Sequence, residues 1–146
     1  VPEPRTNQAP GSVATTVYSV LAAFAAGALA AVVGTVLHAS MAYMGDVPIP
    51  WGAVLALILT GALTYWVAVV RGKLWVSALA GLSTYVIVAL FTLDENNQLI
   101  VSTQFFSALP GPALAGGLWV YGMIIPVIVA ILLASKTLRA ASAARD

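Results

Sequence analysis

His38, Met41, Met44 and Asp46 are the residues whose types and spacing come nearest to a chemical site. An imidazole, two thioethers and a carboxylate so close together offer ligands to a soft metal ion, or donors to a quinone headgroup. One histidine makes a sparse set, and the plainer reading is a polar residue at a membrane border. Asp94-Glu95 is a second candidate, an acidic patch, although adjacent carboxylates at a helix end are more often simply solvated. A third is the group of hydroxyls at Thr60, Thr64, Ser77 and Thr84, which can line a polar path. Serine and threonine in apolar helices usually bond a carbonyl one turn back instead. No Ser–His–acid set, glycine-rich phosphate loop or nucleic-acid-binding stripe occurs. The chain has no cysteine, which excludes disulfides, thiolate metal sites and cysteine nucleophiles. No catalytic residue, metal site or cofactor is expected, only bound lipids.

The elements that position these residues follow from hydrophobicity. The turn Arg71-Gly72-Lys73 joins two apolar runs, residues 51–70 and 74–93, with no charged side chain in either. Each matches the roughly 20 residues needed to cross a hydrocarbon core. Three linking residues force a tight antiparallel hairpin, and its two cations hold the turn on the cytoplasmic face. Further spans are expected at about 14–38 and 116–135. The fold class is therefore all-α, a polytopic membrane protein with four transmembrane helices in an antiparallel bundle and both termini cytoplasmic. Of the 146 residues, 61% are hydrophobic and 8% charged, against about 25% charged in a soluble domain. The chain divides into a flexible, proline-rich cytoplasmic tail (residues 1–13), the four-helix domain (14–135) and a basic cytoplasmic tail (136–146). No cleavable signal peptide is expected; Val1 is what removal of an initiator Met leaves, and the first helix would direct insertion.

This threading sends every cation inward. Arg5, Arg71, Lys73, Lys136, Arg139 and Arg145 share one side, while the outer loops hold His38, Asp46, Asp94 and Glu95 and no lysine or arginine. Arg71, Lys73, Lys136 and Arg139 are the topology determinants, and a bacterial inner membrane is the expected location.

The first span is rich in alanine and glycine. Ala22, Ala26, Ala30 and Gly34 recur every fourth residue, with Ala23, Gly27 and Ala31 beside them. Ser77 and Gly81 repeat the spacing in the third span. Such rows let helix backbones approach closely, either within this chain or against another subunit. The outer segment 94–115 is long, with an apolar centre at 99–101 and at Phe105 and Phe106. It should rest on the bilayer, the bundle or a partner. Pro126 should kink the last span. No Asp, Glu, Lys or Arg lies inside a span, which argues against ion-coupled transporters, proton pumps and voltage sensors.

The order of features resembles small four-span membrane proteins of unassigned function from actinobacteria, mycobacteria above all. Pro48-Ile49-Pro50-Trp51-Gly52, the Arg71-Gly72 turn, the acidic start of the second outer loop, and Gly116-Gly117 with Tyr121-Gly122 carry the resemblance. It covers roughly residues 15–135. It implies an organism class and a topology, and brings no catalytic residues with it.

The leading expectation is a non-catalytic accessory or scaffolding subunit of a larger inner-membrane complex, respiratory or envelope-building. It would contact membrane lipids and other integral subunits, not nucleic acid. A small homo-oligomeric transporter or channel is one alternative. A lipid or quinone binding module using a cleft at Pro126 is the other.

Overall fold

The computed structural model describes residues 11–93 and 99–145. Helix α1 (Gly11–His38) leads into a two-stranded ribbon, β1 (Ala42–Met44) and β2 (Val47–Ile49). Then follow α2 (Trp51–Arg71), α3 (Leu74–Thr92), a 3-10 turn at Thr103–Phe105, α4 (Pro110–Gly122) and α5 (Ile124–Ala143). The architecture is all-α apart from the ribbon. Four helical stretches are long and apolar enough to cross a membrane: Val13–His38, Trp51–Arg71, Leu74–Thr92 and Pro110–Ala143, the last combining α4 and α5. Most of the expected flexible tail, with Arg5, and the acidic pair Asp94-Glu95 lie outside the described residues.

Several boundaries differ from those read off the sequence, and α5 runs on to Ala143, past the expected 135. Helix α1 starts at Gly11 rather than 14. The expected first loop contains a hairpin, in which Ala42, Tyr43 and Met44 pair antiparallel with Ile49, Pro48 and Val47. Gly45 takes φ 62° at its turn, the left-handed geometry that tight hairpins require at the first central position. Pro48 reads as a breaker, but it faces Tyr43. That is one pair out from the turn, where an antiparallel ladder asks for no N–H bond between the partners. The last span begins at Pro110, six residues before the expected Gly116. Pro110 and Pro112 occupy the first turn, where a missing N–H leaves nothing unpaired, so these prolines open a helix.

Between α2 and α3 the chain reverses through Gly72, at φ 64°. Its N–H bonds the Val69 carbonyl at 3.1 Å, and Lys73 N–H reaches back to the Ala68 carbonyl at 3.1 Å. This paired closure satisfies the last carbonyls of α2 and needs glycine at the left-handed position. Between α4 and α5 the break falls at Met123. In an unbroken helix the Gly122 carbonyl would accept from residue 126, and Pro126 has no N–H to give.

The interior is made of small residues. Alanines 23, 30, 31, 53, 56, 68, 80 and 113 are buried, together with Ser19, Thr35, Thr60, Thr64, Ser77 and Thr84. The large apolar side chains point outward instead: Phe24, Leu29, Ile58, Leu82, Ile125 and Leu132 are each more than half exposed. Two clusters anchor the bundle. One gathers Ala31, Ala56, Val88, Ile100, Trp119 and Met123 toward the hairpin end. The other gathers Ala23, Ala26, Val67, Val76 and Ala80 toward the Arg71 end.

Candidate functional site

Close helix approach is set by glycines, and these account for the small-residue rows. A methyl group at Gly27 would come within 2.7 Å of the Ala80 carbonyl and of Ser83 Cβ, so α1 lies directly on α3 there. Gly34 meets the Trp119 ring, and Gly81 meets Val127. Ala26 and Ala30 are buried as well, and Ala22 is half-buried. Helix–helix packing inside this chain therefore occupies the whole first-helix row. Gly61 receives Pro126, so the interrupted helix seats its proline on a bare stretch of α2.

His38, Met41, Met44 and Asp46 do not converge. His38 is 3% exposed and its Nδ1 lies against the Thr35 carbonyl one turn earlier. Met44 and Asp46 stand exposed on the hairpin, while Met41 packs near Gly111. Among the described residues no group of three or more His, Cys, Asp or Glu is arranged to hold a metal ion. His38 belongs instead to a small polar knot. Thr35 offers its carbonyl to His38, and its Oγ1 accepts a 3.2 Å bond from Trp119 Nε1. That knot ties α1 to α4 at the hairpin end.

Several of the buried hydroxyls bond a carbonyl one turn back. Thr60 Oγ1 donates to the Ala56 carbonyl at 2.9 Å, and Ser83 Oγ to that of Leu79 at 2.7 Å. Thr84 Oγ1 lies 3.0 Å from the Ala80 carbonyl and 3.2 Å from that of Gly27, bridging α3 to α1. Ser77 Oγ is buried without a hydrogen-bond partner. Thr60, Thr64, Ser77 and Thr84 are each at most 1% exposed, so none lines a wetted path within the chain.

The cations make contacts of their own. Arg71 donates from Nε to Ser19 Oγ and from a terminal nitrogen to the Thr15 carbonyl, both at 3.3 Å. Lys73 Nζ sits 5.9 Å from the Trp75 ring centre, within cation–π range. Lys136 and Arg139 are exposed on α5, and near them Thr137 Oγ1 pairs with Tyr65 of α2 at 3.1 Å.

Two recesses follow the seam between α3 and the α4–α5 pair. A recess of about 600 Å³ lies toward the hairpin end, bordered by Thr92, Ser102, Thr103, Gln104, Gly117 and Tyr121. A narrower cleft of about 250 Å³ lies between Leu82 and Tyr85 on one side and Ile124, Val127 and Ile128 on the other. It is the cleft beside the Met123 break. The recess lies within the long segment flagged in the sequence, but its partners on α3 and α4 are not visible there. The one sequence signal is that Gly117, Tyr121, Ile124 and Ile128 follow at spacings that share a helix face. Phe105 and Phe106 of the same segment are 39% and 53% exposed, while Ile100 is buried in the bundle.

Comparison with known proteins brings no family, relative or fold to this arrangement: no family model, curated protein or solved structure matches the chain.

Proposed function

We propose that the chain is a multi-pass protein of the bacterial inner membrane, an antiparallel four-span bundle with both termini in the cytoplasm. We propose further that it serves as a non-catalytic accessory subunit of a larger membrane assembly. Membrane insertion is supported by the inverted packing, with small and hydroxylated residues inside and leucine, isoleucine and phenylalanine outside. In water such an envelope would far exceed the apolar patches soluble proteins carry. In lipid it is the ordinary arrangement, because helices there associate through close packing of small residues. The threading draws support from Arg71 reaching Thr15 and Ser19 and from Tyr65 pairing with Thr137. These contacts draw the start of α1, the basic turn and the basic part of α5 together, as the retention of cations on the inner face requires.

The observation that carries the accessory role is the set of exposed apolar side chains on the hairpin and on the segment leading into α4. Tyr43, Met44, Val47, Phe106 and Leu109 are each close to half exposed or more. Aromatic and methionine side chains are what partner surfaces favour. The first-helix row no longer motivates this reading, since packing within the chain accounts for it. The rival reading, a homo-oligomeric channel lined by Thr60, Thr64, Ser77 and Thr84, finds little support in hydroxyls without surface. Purifying a tagged copy in mild detergent tests the proposal. A stoichiometric integral-membrane partner, lost when Phe106→Ser is combined with Met44→Ser, is the expected result; a lone monomer refutes it.

A further inference from the structure

The two recesses on the α3 seam differ in chemistry in the order a lipid does. The wider one presents hydroxyls at Thr92, Ser102, Thr103 and Tyr121 and the amide of Gln104. The narrower one is walled by Leu82, Ile124, Val127 and Ile128. They lie end to end. On α3 the stripe Thr92, Tyr85, Gly81 runs down one face, and on the other wall Gly117, Tyr121, Ile124 and Ile128 do the same. The upper part of the seam is open because α3 packs only sparsely on α4; lower down α3 meets α5, with Gly81 against Val127 on the floor of the cleft.

The length of the seam also matches. From Thr92 to Gly81 a helix rises about 16 Å at 1.5 Å per residue. One leaflet contributes about half of a hydrocarbon core roughly 30 Å thick. A groove of that reach, polar at its outer end and apolar to the bilayer midplane, suits one lipid of one leaflet. We infer that the seam is a binding site for an outer-leaflet lipid with an uncharged, hydroxyl-bearing headgroup. The headgroup occupies the recess at Thr103 and Gln104. An acyl chain passes the Met123 break and lies in the cleft, ending near Gly81 and Ile128.

The headgroup class follows from what lines the recess. Among the described residues no lysine or arginine borders it, and a buried or half-buried phosphate without a cation forgoes the charge-assisted bonds that make such sites favourable. Hydroxyls and an amide instead exchange donors and acceptors freely with a sugar or glycerol. An apolar cleft with no occupant would forfeit the contacts of its lining atoms, and a methylene chain restores them.

This inference rests on the four-span threading, which is tested separately by labelling at residue 73. The protein is reconstituted in phosphatidylcholine nanodiscs carrying a glycosyl diacylglycerol with a photoactivatable acyl chain, or phosphatidylglycerol with the same chain. The glycosyl probe is expected to label residues 81–85 and 123–128 over the equally exposed Phe24, Val54 and Ile58. Combining Leu82→Trp with Ile128→Trp, both at exposed positions, should remove that enrichment while labelling at Phe24 persists and reports an intact bundle. Combining Thr103→Val with Gln104→Leu should lower the preference for the glycosyl headgroup about fivefold, as the loss of one or two hydrogen bonds implies. Even labelling around the bundle, enrichment that survives the tryptophans, or equal labelling by both probes each overturns the proposal.

Discussion

A hydroxyl shut inside an apolar bundle with nothing to bond is destabilising, and Ser77 Oγ is in that position. An unsatisfied buried polar group costs about 1–3 kcal/mol. Ser77→Ala should therefore raise the thermal midpoint in detergent, by the equivalent of about 1 kcal/mol. A lowered midpoint would mean that Oγ has a bonding role in the bundle. Thr84→Val is the contrast: its hydroxyl reaches the Gly27 and Ala80 carbonyls, so the same measurement should show a loss. Residues of this kind were only half legible in the sequence. The rows at Gly27 and Gly34 announce close packing, because a missing side chain has few other uses in an apolar helix. Their neighbours are another matter. That Gly34 receives the Trp119 ring depends on how α1 and α4, far apart in the chain, meet, and no local pattern encodes such a meeting.

At the scale of elements, prolines carry most of the sequence signal and most of the misses. Pro126 marks an interruption because it denies the Gly122 carbonyl a partner, and the break at Met123 lies one turn before it. Pro126→Ala restores that N–H. Spin labels at Leu118 and Arg139 should then move toward the roughly 31 Å of an unbroken helix at 1.5 Å per residue; an unchanged distance would assign the bend to packing on Gly61. Pro48, Pro110 and Pro112 read as loop in the sequence, yet one sits in a ribbon and two open a helix. Proline tells where an N–H is absent, not whether one was needed. That second fact belongs to the ladder register and the helix start, which three or four residues do not specify.

For the molecule as a whole, the four long apolar helices were legible, since their hydrophobicity and length stand out in the sequence. The proposed lipid seam was not, since it depends on how sparsely α3 packs on α4 and how α5 passes beside α3. Sidedness is checked with Lys73→Cys, half-buried on the turn that closes α2. An impermeant maleimide should leave it unlabelled in intact spheroplasts and label it after permeabilisation; the opposite pattern inverts the threading. The unbroken run of α5 past the bundle has an ionic consequence. Ala134 is the last buried residue and α5 continues to Ala143, about 13 Å further along its axis. Screening at physiological salt halts appreciable attraction beyond about 8 Å. Under the proposed threading, Lys136 and Arg139 stand nearer the membrane than Arg145 does, so attraction to anionic lipid favours the first two over the third.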